Sequence, residues 1–134
     1  MRRIEVGDSF DLTKGPVTTV QLAMYAGASG DFNRIHYDLP FAQEAGLGGV
    51  IAHGMLTMGF AAEMLAAWAG PTALIRRVGA NFKSPVRPGD NVMLRGTVTG
   101  VAPQDRGRVV TVSYAGHVAD REVIAGEGAV LFPA

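Results

Sequence analysis

The sequence predicts an α+β fold, and three features carry that prediction. Short helix signals occupy the first third of the chain. One long apolar segment follows, Val50 to Ala69, and then three alternating runs fill the rest up to Phe132. The 134 residues fit one domain, taken as residues 1–134, and a 48% hydrophobic content suffices for a packed core.

The first dozen residues read as extended, with a turn at Lys14-Gly15-Pro16. Thr18 or Thr19 caps a short helix through Val20, Ala23, Met24 and Ala26, with Gly27 near its end. Ala28 to Asn33 has turn composition and no helical period. Asp38 before Pro40 starts a second helix and Gly46 stops it. Val50–Ala69 spans 20 residues with one formal charge, Glu63. That length matches a membrane crossing, but His53, Gly54, Thr57, Gly59 and Glu63 dilute it and no basic cluster flanks it. The expectation is a soluble core helix, apolar all round and wrapped on every side. The wrapper is predicted as strands over Asn91–Val101, Arg108–Val118 and Glu122–Phe132, with a further strand over Ala73–Phe82. Pro103–Gly107 and Asp120-Arg121 sit at the hairpin turns, and Pro85 to Asp90 forms a firm turn.

Twelve basic and twelve acidic residues balance to zero net charge, which disfavours a nucleic-acid partner. The absence of cysteine removes disulfides, thiolate metal sites and a cysteine nucleophile. The polar opening residues do not form a signal peptide, so a cytoplasmic location is expected. Asp31, Asn33, His36, Asp38 and His53 are the densest polar cluster. From these residues alone, a solvated turn with Asp31 as a helix cap competes evenly with a catalytic site in which Asp31 and His36 share one water. A metal on His36, Asp38 and His53 is disfavoured, because no recognised ligand spacing is present. No metal and no organic cofactor are expected.

Asp31-Phe32-Asn33-Arg34-Ile35-His36-Tyr37-Asp38 resembles the Asp-x-Asn-x-x-His-x-Asp motif of MaoC-like (R)-specific enoyl-thioester hydratases and dehydratases. Gly48 to Leu56 resembles that family's second signature. Phe82–Asp90 and Gly126–Val130 resemble two later elements, so the likeness covers nearly the whole chain in order. The stretch Ile51–Gly59 is especially similar to actinobacterial 3-hydroxyacyl-carrier-protein dehydratase subunits. One position departs: the motif often has proline after asparagine, where this chain has Arg34, which would put a charge at the pocket mouth.

The resemblance implies a hot-dog fold, an antiparallel sheet curled around a long helix. It implies an acyl-CoA or acyl-carrier-protein substrate, no membrane insertion, and a homodimer, with a heterodimer open. It assigns His36 as base, Asp31 as its water-orienting partner and proton relay, and the Gly54 N–H as oxyanion donor. Asn33, Ser29 and His53 take supporting places around them. Met55, Met58, Phe60 and Met64 either line an acyl tunnel or are core. Arg76, Arg77, Lys83, Arg87, Arg95, Arg106 and Arg108 either meet phosphates or are scattered surface charge. Within the fold the rival activity is a thioesterase; outside enzymes it is a non-catalytic acyl-binding subunit.

Overall fold

The computed structural model describes residues 2–134. Strand β1 (Ser9–Lys14) leads to helix α1 (Thr19–Ser29), a single 3-10 turn (Arg34–His36), helix α2 (Leu39–Glu44) and helix α3 (Gly54–Ala69). Strands β2 (Leu74–Val78), β3 (Asn81–Phe82), β4 (Val92–Gln104), β5 (Gly107–Val118) and β6 (Arg121–Pro133) follow. All pair antiparallel in the order β1-β4-β5-β6-β2, with β3 also on β6. This is the hot-dog arrangement, a sheet curved against α3.

The strand alternation places its apolar set on the helix side. Val92, Leu94 and Val98 of β4 are buried, as are Val110, Val112 and Tyr114 of β5 and Ile124, Val130 and Phe132 of β6. Phe60, Ala61, Met64 and Leu65 of α3 pack onto them, with Leu22 from α1. Gly128 makes this approach possible, since a Cβ there would stand 2.9 Å from Leu65 Cδ1.

Several expectations shift. Thr18 does cap α1, accepting from the Gln21 N–H at 3.0 Å, but the helix runs on to Ser29 and closes at Gly30, whose φ of 76° suits glycine. Its buried residues are Leu22 and Ala26, while Val20 and Met24 face outward. The predicted helix over Val50–Ala69 begins only at Gly54. Residues 50–53 stay outside the helix because their backbone bonds elsewhere: Ile51 N–H donates to Ile35 O at 3.1 Å and Ala52 N–H to Val86 O at 2.7 Å.

The α3 helix is not wrapped all round, since Met55, Gly59, Glu63, Ala66 and Ala67 are exposed. Glu63 pairs with Lys14 of β1 at 3.1 Å. Phe60 and Met64 are core, Met58 is half-buried, and none of the four candidate tunnel residues lines the cavity described below. Among the described residues no helix is long and apolar enough to cross a membrane.

The strand expected over Ala73–Phe82 is two strands. Between them the Gly79 carbonyl turns to accept from Tyr114 Oη at 2.7 Å, while the Gly79 N–H donates to Glu127 O. The last hairpin turns at Ala119-Asp120, one residue earlier than expected, with Ala119 at a φ of 53°.

Candidate active site

The loop after α1 is built by a repeating local device. The Asp31 N–H donates to Ser29 Oγ at 3.1 Å, the Asn33 N–H to Asp31 Oδ1 at 3.1 Å, and the Ile35 N–H to Asn33 Oδ1 at 3.2 Å. Short polar side chains two residues apart thus replace the missing helix or sheet partners. Asn33 caps the 3-10 turn, and that tight turn swings His36 inward, where it is 6% exposed. The five-residue spacing, ambiguous in sequence, closes here: His36 Nε2 lies 3.9 Å from Asp31 Oδ2.

That distance is too long for a direct hydrogen bond. A single water about 2.8 Å from both atoms fits beside it. Asp31 divides its carboxylate between two tasks. Oδ1 holds the loop, and Oδ2 faces the histidine.

The tautomer of His36 follows from its other nitrogen. Nδ1 lies 2.8 Å from the carbonyl oxygen of Ile51. A carbonyl only accepts, so Nδ1 carries the hydrogen, and Nε2 is the nitrogen turned toward Asp31. The extended segment before α3, displaced from its predicted helix, supplies that carbonyl.

His36 and Gly54 line one cavity of about 340 Å³ with Ile51, Thr57, Phe82 and Val86 among its other walls. Gly54 is the first residue of α3, so its N–H has no acceptor within the helix and sits at the positive end of the dipole. Phe82 lies against it: a Cβ on Gly54 would meet the ring at 3.1 Å. Residue patterning pointed to His36 and the family resemblance to Gly54, but both missed the Ile51 carbonyl, Thr57 and Phe82 as walls. Thr57 is one helical turn from Gly54, on the same face, and is the one signal for the wall that the sequence contained.

His53 is buried at 1% exposure. Its Nε2 donates to the Asp31 carbonyl at 3.1 Å, and its ring stacks on His36 with centroids 3.7 Å apart and planes 20° apart. Asp31, His36 and His53 bring ligand-type atoms within 4.8 Å of one another. Asp38, grouped with the histidines in the sequence reading, lies elsewhere. One nitrogen of each ring is committed to a carbonyl, and the stacked rings hold their remaining lone pairs in nearly parallel planes.

Arg34 does not charge the pocket mouth. It binds Asp38 Oδ2 at 2.9 Å, sits over the Phe41 ring at 4.4 Å, and is not among the cavity walls. Of the seven scattered cations only Lys83 lines the cavity. The Arg34 guanidinium, helped by the Phe41 N–H, holds the Asp38 carboxyl below its ordinary value of 3.8. A depressed carboxylate stabilises the fold above that value and loses its effect as pH falls through the folded one. Asp38→Asn is therefore expected to lower stability near neutrality and to converge with the parent protein as pH falls through the lowered folded value. Urea melts at pH 7 and at successively lower pH check this; a gap that stays constant as pH falls would contradict it.

Comparison with known proteins agrees with the geometry. The MaoC like domain family matches residues 3–119. The chain is 37% identical to the (R)-specific enoyl-CoA hydratase of Rhodospirillum rubrum, over 98% of this chain and 90% of that protein. It is 31% identical to the 3-hydroxybutyryl-CoA dehydratase of Methylorubrum extorquens, over 97% and 82%. The solved (R)-hydratase from A. caviae, involved in PHA biosynthesis, superposes with a TM-score of 0.86 at 27% identity, covering 99% of this chain and all of that one.

Proposed function

The chain belongs to the MaoC-like domain family, and we propose that it catalyses the reversible hydration of trans-2-enoyl thioesters to (3R)-3-hydroxyacyl thioesters. The observation that carries the reading is one cavity bordered by His36, whose Nε2 lies 3.9 Å from a carboxylate, and by a helix-start N–H with no acceptor inside its helix. Nothing in the geometry favours the thioesterase or the non-catalytic subunit.

The steps follow from the atoms. His36 Nε2 takes a proton from the water that Asp31 Oδ2 orients, as the water oxygen bonds to Cβ. The Cα=Cβ electron pair moves onto the thioester, whose oxygen gathers charge against the Gly54 N–H. The proton passes through Asp31 to Cα, so the pair ends the turnover as it began. One water enters from one face, which gives syn addition. Dehydration is the same path reversed.

The reading needs no metal or organic cofactor. Purified protein in EDTA is expected to consume crotonyl-CoA, with loss of the enoyl-thioester absorbance and no free thiol. The product is expected to give no NADH with an (S)-3-hydroxyacyl-CoA dehydrogenase. Release of thiol would select a thioesterase. Efficient NADH formation would overturn the stereochemistry, and activity restored only by a divalent ion would overturn the cofactor reading.

The working unit on this reading is at least a dimer. Phe32, Tyr37, Met55 and Phe82 are exposed apolar residues that adjoin Asp31, His36 and Gly54. One face of α3 is open, and the sheet ends in strand edges at β1, β2 and β3. A second copy would cover this surface; a related chain is the other partner to test. Light scattering at assay concentration should give at least a dimer mass. A monomer with full turnover would defeat this, and a monomer activated only by a second protein would select the heterodimer. The cytoplasm is the proposed location.

A further inference from the structure

His53 is more deeply buried than His36, and no step above uses it. It breaks two local rules. It occupies the N-cap position of α3, yet its side chain makes no capping hydrogen bond. Its Nδ1 is buried with no hydrogen-bond partner among the described residues. A residue that costs the fold locally on both counts has its use elsewhere.

Its contacts show where. On one side Nε2 donates to the backbone carbonyl of Asp31, and on another the ring lies flat against His36. The Tyr25 ring meets it edge to face on a third side, with centroids 4.8 Å apart. The groups facing it are thus the Asp31 loop, the His36 ring and the Tyr25 phenol. The two imidazoles hold opposite tautomers, Nδ1–H in His36 and Nε2–H in His53. The unpartnered Nδ1 locks the second of these. Moving the hydrogen to Nδ1 would leave it without an acceptor and strip Asp31 O of its donor.

Resting on the hydratase reading above, we propose that His53 is a positioning residue for the hydration step. It ties the Asp31 backbone and the His36 ring to one rigid body and so sets the 3.9 Å gap in which the water is held. Fixing that gap affects the reacting geometry more than substrate affinity.

Two variants divide the contacts. His53→Phe keeps a flat ring and removes the donor. His53→Gln keeps a donor and removes the ring. Each is expected to lower kcat by about 10- to 100-fold with KM changed less than about threefold. Long-range proton–nitrogen NMR of the imidazoles, with three histidines to assign, supplies a readout independent of turnover. The parent protein should show His36 as Nδ1–H and His53 as Nε2–H. Either variant retaining parental kcat would overturn the proposal, as would a loss confined to thermal stability. If the variants fail to fold, the parental spectrum decides: the reverse tautomer on either ring overturns it. A parent protein with the expected tautomers but no activity on crotonyl-CoA would instead overturn the hydratase reading.

Discussion

Replacing His36 with alanine is expected to lower kcat by about 10²–10⁴-fold, the range for a positioned acid–base group. The same range is expected for Asp31→Ala. The reason is shared on the proposed reading: Nε2 and Oδ2, 3.9 Å apart, would hold one water between them, and neither atom would replace the other. The double variant should therefore cost little more than the worse single one. Asp31→Ala also removes the acceptor for the Asn33 N–H, so part of its effect would come from a loosened loop. Asp31→Asn separates the two tasks. Its amide oxygen can still hold the Asn33 N–H while the carboxylate that orients water and passes the proton is gone. Its kcat should fall nearly as far as that of the alanine variant, with the melting temperature closer to the parent. Steady-state hydration of crotonyl-CoA, with circular dichroism melts as a control, measures both. A folded His36→Ala protein that turns over normally would remove the base assignment.

The parts of this molecule that were legible in its sequence are those decided by neighbours in the chain. Thr18 and Asp38 announce helix starts because a short oxygen-bearing side chain reaches an N–H three residues on. The β4, β5 and β6 runs announce themselves because alternation reports one buried face. What stayed hidden depends on distant partners. Residues 50–53 are as apolar as the helix they precede, and only Ile35 and Val86 pull them out of it. The strand over residues 73–82 breaks at Gly79 because Tyr114, 35 positions away, claims its carbonyl. The site divides in the same way. Asp31 and His36 were visible as residue types, but their approach depends on a 3-10 turn. The tautomer that turns His36 Nε2 toward Asp31 depends on a carbonyl 15 residues further on.

Gly54 offers a test in which activity and stability part company. Gly54→Ala keeps the backbone N–H and adds one methyl group. That group would meet the Phe82 ring at 3.1 Å, but Phe82 is about half exposed and has room to yield. Alanine is also the better helix former, so the fold should hold. Gly54→Pro removes the N–H itself. Proline is tolerated at the first helical position, where that hydrogen has no intrahelical partner. The preceding residue must be extended, and His53 already is, with φ −60° and ψ 134°. Both variants should therefore melt within a few degrees of the parent. Their catalysis should differ. Alanine is expected to lose about tenfold in kcat/KM through crowding of the thioester. Proline should fall about 10²–10³-fold below alanine in kcat, the usual cost of one lost oxyanion donor. Alanine controls for bulk at Cβ, so the gap between the two reports the loss of the N–H together with the proline Cδ that takes its place. If proline performs within a few-fold of alanine, the charge that develops on the thioester oxygen is met by some other group and the Gly54 assignment fails.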